Sequence, residues 1–528
     1  MAETTPKLST SSLVANWKCL AICCVVSMAN FEFGLDSGVV GTLQAMPGFL
    51  AVFGYPNEFI PGGWGLNSTF QQLISSFPIL GAFISSLAAG PFSIHFGRKA
   101  GLWVACFFTA VGVSVQMATE DKGAIYAGRL VLGLGNGFLQ TFSNIYCAEV
   151  APAHLRPIMV GLSTEWILIG SIVAAAITNA TQVRMDKFSY LLPLGVLLIL
   201  PAVLATFLLF VPESPRYLLI REREADARKS LETLRGSSVS PNELDIEFTE
   251  MIKGIQEEKR VSSTVGPLDM FKGSDLRRTL LCMGTAVADS GGSGAWFLIP
   301  YATYFLVISG VPFQDVFHYF VINTCLGLVA CNIGLFVMRH VCGRRTFLMI
   351  SAMFNGLFML GLAVSTTTGA DFATQQKCLI TFVSLFLIWY SFGTGVGTRP
   401  VATELVSTRM RAWSFGLTQA VGQLVIWLIS FCTPYFINPE NLNWGGRYGY
   451  IFFGSSLACF AWYFFFIPET KGLTLEEIDE LFENKVPTRK FKTYQTKILG
   501  KALEEAWGQH RRGEEKVVRV EGKCDSKL

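Results

Sequence analysis

Apolar residues in this chain come in runs of bilayer length, interrupted by short clusters of charge. Residues 191–211, LLPLGVLLILPAVLATFLLFV, hold no charged residue, and neither do 449–467, GYIFFGSSLACFAWYFFFI. A hydrocarbon core is crossed by about 20 apolar residues in a helix. About twelve segments meet that length, near 17–41, 69–93, 100–118, 125–147, 158–180, 190–211, 279–307, 316–338, 346–366, 377–400, 413–435 and 449–467. The pattern predicts an all-α polytopic membrane protein. One long hydrophilic insert, 212–278, separates the sixth run from the seventh, and its REREADARKSLETLRG and FTEMIKGIQEEKR stretches predict short charged helices outside hydrocarbon.

Composition agrees: of 528 residues only 15% are charged, against about 25% in soluble domains. The net charge of +3 is therefore read by its placement and does not point to nucleic acid. Arg98, Lys99, Arg156, Arg339, Arg344, Arg345, Arg409 and Arg411 fall in alternate short loops, which the positive-inside bias assigns to the cytoplasm. The same bias places both termini there, as 1–16 and 468–528, together with the insert; the helical halves are then 17–211 and 279–467. Sequons at Asn67 and Asn179 fall on the outer side and are expected glycosylation sites. Seven of the thirteen cysteines lie in apolar runs with no metal-type spacing, so they read as packing residues. No catalytic triad, metal cluster or phosphate loop is legible, and the expectation is a protein without enzymatic activity, cofactor or metal.

The two halves repeat. GRK at 97–99 returns as GRR at 343–345, EVAPAHLR at 149–156 as ELVSTRMR at 404–411, and PESPR at 212–216 as PETKG at 468–472. Three matches in one order at nearly one offset indicate a duplicated six-helix unit with a binding site between the copies.

These motifs, with GLDSGVVG after the first apolar run, AGRLVLGLGNG, NPENLNWGGRYGY and PETKGLTLEEIDELF, resemble the sugar porter branch of the major facilitator superfamily. The resemblance runs from about Phe33 to Val486, and the STRMR, NWGG and KVPTRKF segments are similar to fungal α-glucoside and hexose-type permeases. It implies two pseudo-symmetric six-helix halves, a monomer in the plasma membrane, and proton-coupled symport of a sugar or sugar-like solute by alternating access. Transport of a specialised metabolite, inward or outward, and non-transporting nutrient sensing are the alternatives.

The first span carries Glu32 and Asp36, one turn apart in an otherwise apolar segment. A carboxylate there costs roughly 2.5–3.5 kcal/mol on insertion scales, so something must offset it. The resemblance implies that Asp36 faces Arg129 of the fourth span, a pair that couples proton to solute movement or else clasps two helices. Arg98, Glu149 and Arg156, with Arg344, Glu404 and Arg411 in the second half, read as charge pairs that latch the halves at the cytoplasmic end. Glu213 and Glu469 are expected near positive helix N-termini.

Where sugar porters present amides to hydroxyls, this chain aligns Thr164, Glu165, Asp289, Ser290, Gly291, Trp296 and Arg399. The spacing of Asp289, Ser293 and Trp296 (i, i+4, i+7) places the three on one helical face. An aromatic plate among ionisable neighbours suits a bulkier solute, less uniformly hydroxylated or charged.

Overall fold

The computed structural model describes residues 16–57, 63–152, 155–236, 241–262, 267–369, 371–406, 411–473, 475–491 and 494. The N-terminal segment, the end of the tail and the side chain of Arg411 lie outside the described residues.

Twelve helical segments correspond to the twelve apolar runs. The first half contains α1 (Trp17–Leu43), α2 (Ser68–Phe96), α3 (Arg98–Ala118), α4 (Lys122–Val150), α5 (Arg156–Thr181) and α6 (Phe188–Leu208). The second contains α7 (Gly273–Ile308), α8 (Phe313–His340), α9 (Arg344–Ser365), α10 (Phe372–Leu405), α11 (Arg411–Ile437) and α12 (Gly449–Phe465). Ten of these are long and apolar enough to cross a bilayer over most or all of their length. The other two are α4, which carries Arg129, Asn136 and Glu149 on its buried faces, and α12, which is 17 residues long. The protein is an integral membrane protein.

Packing is asymmetric along the bundle. At the end away from the insert, one hydrophobic cluster draws on both halves, joining Phe49, Phe70 and Tyr190 to Tyr301, Phe305 and Tyr448. At the insert end each half has its own cluster. Cys19, Leu102, Phe142 and Leu204 form one; Leu281, Leu348, Leu405 and Tyr463 form the other. The insert helices Pro215–Ile220, Glu224–Arg235 and Pro241–Ser262 gather beneath the first half, where Arg235 donates to the Val150 carbonyl at 3.1 Å and pairs with Glu247. The tail helix Leu475–Glu483 docks beneath the second half, with Leu481 and Phe482 in its cluster and Asp479 paired to Arg278.

α7 is not a continuous helix. Residues Ala288–Gly292 form a π-helical turn, and Gly294 follows in the left-handed region at φ 81°. That conformation favours glycine, and a Cβ there would also stand 2.7 Å from Met359 Cε. In hydrocarbon the carbonyls freed by such a break need internal donors. Ser455 and Ser456 of α12 supply them, donating to the Gly292 carbonyl at 2.9 and 3.1 Å. α10 breaks likewise at Gly393, where a Cβ would lie 1.8 Å from Ser351 Oγ.

Candidate functional site

A cavity of about 230 Å³ lies between the halves. Its walls come from α1 (Phe33, Ser37), α5 (Thr164, Ser171), α7 (Trp296), α8 (Asn323, Thr324) and α10 (Tyr390, Arg399). A smaller space of about 50 Å³ shares Phe33, Ser37, Trp296 and Ile299 with it and reaches Asp36 and Asn136. Trp296 therefore stands between the solute-sized space and the Asp36 carboxylate.

Asp36 is 4% and Arg129 3% exposed. Arg129 Nη1 donates to Asp36 Oδ1 at 2.8 Å, and Asn136 Nδ2 donates to Oδ2 at 3.2 Å. Two donors, one of them cationic, are what an intramembrane carboxylate needs to offset its lost hydration. Glu32 has no such arrangement. It is fully buried, and neither carboxyl oxygen has a hydrogen-bond partner among the described residues.

The solute-site candidates separate. Thr164, Trp296 and Arg399 line the cavity. Ser290 and Gly291 do not: both face α11, where a Cβ on Gly422 would lie 3.3 Å from Ser290 Oγ and one on Gly291 2.8 Å from Val425 Cγ1. Glu165 turns toward α8 and accepts from Asn332 Nδ2 at 3.3 Å. Asp289 sits behind the wall, beside Thr398 and in electrostatic reach of Arg399, with Oδ1 unpartnered. The expected single face of Asp289, Ser293 and Trp296 fails because the π turn and left-handed Gly294 reset the rotation between them. Ser293 instead donates to the Asp289 carbonyl at 2.7 Å.

At the insert end the repeated motifs build the same network twice. Arg98 pairs with Glu149 at 2.7 Å and Arg344 with Glu404 at 2.6 Å. Ser214 Oγ donates to Glu149 at 2.5 Å, and Thr470 Oγ1 to Glu404 at 2.7 Å. Glu213 accepts from the backbone N–H groups of Arg98 and Lys99, and Glu469 from those of Arg344 and Arg345. Each glutamate thus meets a helix N-terminus, that of α3 or α9, and Glu213 also accepts from the N–H of Ser214, the N-cap of its own short helix, at 3.0 Å. Burial raises the Glu213 carboxyl above its ordinary range, and the N–H groups that it accepts from pull the other way. Both networks lie within a half, not across the interface. Arg156 opens α5 and is exposed.

A polar seam at the opposite end went unnoticed in the sequence. Asn438 Nδ2 donates to Ser68 Oγ at 2.8 Å and to Gln71 Oε1 at 2.6 Å, and Asn441 Nδ2 donates to Ser68 Oγ at 2.5 Å. Gln71 reaches Gln44 at 3.3 Å, and Gln44 the Pro300 carbonyl at 3.4 Å. The NPEN stretch (437–442, INPENL) was its visible half. Toward the insert end no hydrophobic cluster spans both halves among the described residues, and a Cβ on Gly90, Gly161 or Gly416 would meet nothing within 4 Å. The cavity is closed at one end by this seam and by the shared cluster.

Asn67 caps α2, accepting from Thr69 N–H at 3.0 Å, and is exposed; Asn179 lies in the last turn of α5 and accepts from Gln182 Nε2 at 2.7 Å. Both are at the seam end.

Comparison with known proteins fits this geometry. The profile described as "Sugar (and other) transporter" matches residues 22–482. The major facilitator-type transporter ecdD of Aspergillus rugulosus is 30% identical over 505 residues, covering 93% of this chain and 92% of that protein. The maltose permease MAL31 of Saccharomyces cerevisiae is 29% identical, covering 92% and 78% respectively. Among solved structures, the xylose transporter XylE of E. coli, in a partially occluded inward open conformation, superposes with a TM-score of 0.70 at 17% identity, over 87% of this chain and 100% of that one.

Proposed function

The chain belongs to the sugar porter family of the major facilitator superfamily, and from that premise we propose that it carries a small solute across the membrane by alternating access, coupled to protons at Asp36. The observation that carries this reading is the cavity walled by both halves, closed at one end by a cluster and a polar seam that both halves share, with no shared cluster at the other end among the described residues. Rocking the halves about that cavity would open the seam and close the insert end. Asp36 lines the smaller space that adjoins the cavity beside Trp296, and Arg129 reaches it through its bond to Asp36. A proton on Asp36 would cancel the charge that holds Arg129, so protonation and helix position are linked. Thr164 and Trp296, with Arg399, would contact the solute. The Arg98–Glu149 and Arg344–Glu404 networks would brace each half as a rigid body.

The test is uptake by cells lacking their own transporters, over labelled sugars, polyols and aromatic acids, with and without an imposed pH gradient. Accumulation that follows the gradient and is lost in Trp296→Ala supports the reading. Binding without uptake would make the protein a sensor. For topology, we propose that the insert and both termini are cytoplasmic, in the plasma membrane. Asn67→Gln and Asn179→Gln should then each remove a glycan, seen as a mobility shift. Protease cleavage within 212–278 from outside intact cells would overturn that orientation.

A further inference from the structure

The charge balance of the cavity wall is one-sided. Among the described residues that line it, Arg399 is the sole charged side chain. It is exposed, and no carboxylate lies within ion-pair distance of it among the described residues. Asp289, an acid in electrostatic reach of it, is buried behind the wall beside Thr398 and does not line the space. An arginine at membrane depth is stable where it faces water or a partner. Here it faces the compartment that a solute would fill.

The rest of the wall defines the remainder of the ligand. Trp296, Tyr390, Phe33 and Phe320 present aromatic surface, which fits a flat or apolar-faced body. Asn323 is the one amide among the lining residues, and its Oδ1 has no partner. A fully hydroxylated sugar would want several bidentate amides, and the wall offers it a guanidinium and scattered hydroxyls instead. A guanidinium matches a carboxylate with two parallel N–H donors.

We propose that the solute is an organic anion, a carboxylate on an aromatic or apolar-faced body, with Arg399 as its binding residue. This rests on the reading of the cavity as the solute site. Closure of the halves around the solute would remove water from Arg399, so an anion there strengthens the closed state while a neutral sugar leaves the cation unpartnered.

The experiment is a ligand titration of purified full-length protein followed by thermal shift, using matched probes: 4-hydroxybenzoate against 4-hydroxybenzamide, and glucuronate against glucose. The expected result is that the carboxylate member of at least one pair binds about tenfold or more tighter than its neutral twin. Arg399→Gln should bring that ratio to about one, and Arg399→Lys should keep part of it. Neutral members binding as tightly, a preference that survives Arg399→Gln, or no binding by either carboxylate overturns the proposal. Trp296→Ala separates the two readings. If the carboxylate preference is absent but Trp296→Ala still weakens the probes that bind, the cavity is the solute site and only the anion assignment has failed. If binding of every probe ignores it, the cavity reading has failed.

Discussion

In the first half, Asp36 and Arg129 meet at 2.8 Å with both side chains almost wholly buried. In the second half, Asp289 and Arg399 approach without pairing, the acid behind the wall and the cation open to the cavity. The same asymmetry runs through the first helix of each half. In α1, Glu32 and Asp36 sit within the helix Ala29–Leu43, and α1 presses on α5 so closely that a Cβ on Gly34 would lie 1.9 Å from the Ile167 carbonyl oxygen. The helix α7 is broken by a π turn and a left-handed glycine. The insert-end networks are nevertheless near copies. Duplication has thus kept the brace and let the centres diverge, one half closing a charge pair away and the other turning its charge toward the cavity. On the proposed function the comparison implies a division of labour in charge: the first half holds the group for proton binding, and the second supplies the one charge on a wall that both halves build.

The largest effect should come from removing the titratable proton in one half and not the other. Asp36→Asn keeps size and a hydrogen bond to Asn136 but cannot cycle between charged and neutral forms. Reconstituted protein carrying it should exchange solute across the membrane yet fail to concentrate it on an imposed pH gradient. Asp289→Asn should still concentrate solute. The measurement is the accumulation ratio of each variant at zero and at imposed pH difference. If Asp289→Asn loses gradient-driven accumulation and Asp36→Asn keeps it, the division of labour is reversed.

A smaller effect separates the two braces. Side-chain exposure is 10% and 11% for Arg98 and Glu149, against 25% and 21% for Arg344 and Glu404. Stranding one member of a well-buried pair costs about 3–5 kcal/mol. Where water reaches the stranded cation the cost is smaller, about 1–2 kcal/mol. Glu149→Ala should therefore lower the melting temperature of the purified protein more than Glu404→Ala does. Equal losses would mean that the copies are equivalent in energy as well as in pattern.

Most of this scaffold was legible in the sequence because it depends on composition and on local motifs. Runs of bilayer length locate all twelve helices. The repeated GR, E and PE(S/T) elements carry the charges of both braces, although which N-terminus Glu213 and Glu469 cap depends on packing. Asp36 and Arg129 were paired by resemblance, and the geometry joins them. The solute wall was only partly readable. Periodicity assumes an unbroken helix, so the π turn in α7 separates Asp289 from Trp296 where a regular pattern joins them. The seam was hidden for another reason: Ser68 and Asn438 are 370 residues apart, and nothing local tells either that the other is opposite.

The last contrast concerns glycines that fix how the first helix of each half meets its neighbour. A Cβ on Gly34 would strike backbone, the Ile167 carbonyl oxygen at 1.9 Å and its carbon at 2.7 Å, and backbone in a helix has no rotamer to change. A Cβ on Gly291 would strike Val425 Cγ1 at 2.8 Å, the end of a side chain on α11 that turns aside. Forcing extra volume into a packed interface costs about 1–3 kcal/mol, and Gly34→Ala should fall in that range because α1 and α5 have to separate. Gly291→Ala should cost less, about 1 kcal/mol, since a small shift of one side chain relieves it where Gly34→Ala has to move a backbone. Melting temperatures of the two purified variants check the order. Transport sharpens the point, because Gly34 also lines the cavity. Moving α1 off α5 shifts Phe33 and Ser37 on the solute wall together with Asp36 on the proton side, so Gly34→Ala should reduce both solute binding and coupling. Gly291→Ala touches neither wall and should leave both intact. A larger loss of stability from Gly291→Ala would mean that the broken α7, and not the tight α1–α5 contact, is the stiffer of the two joints.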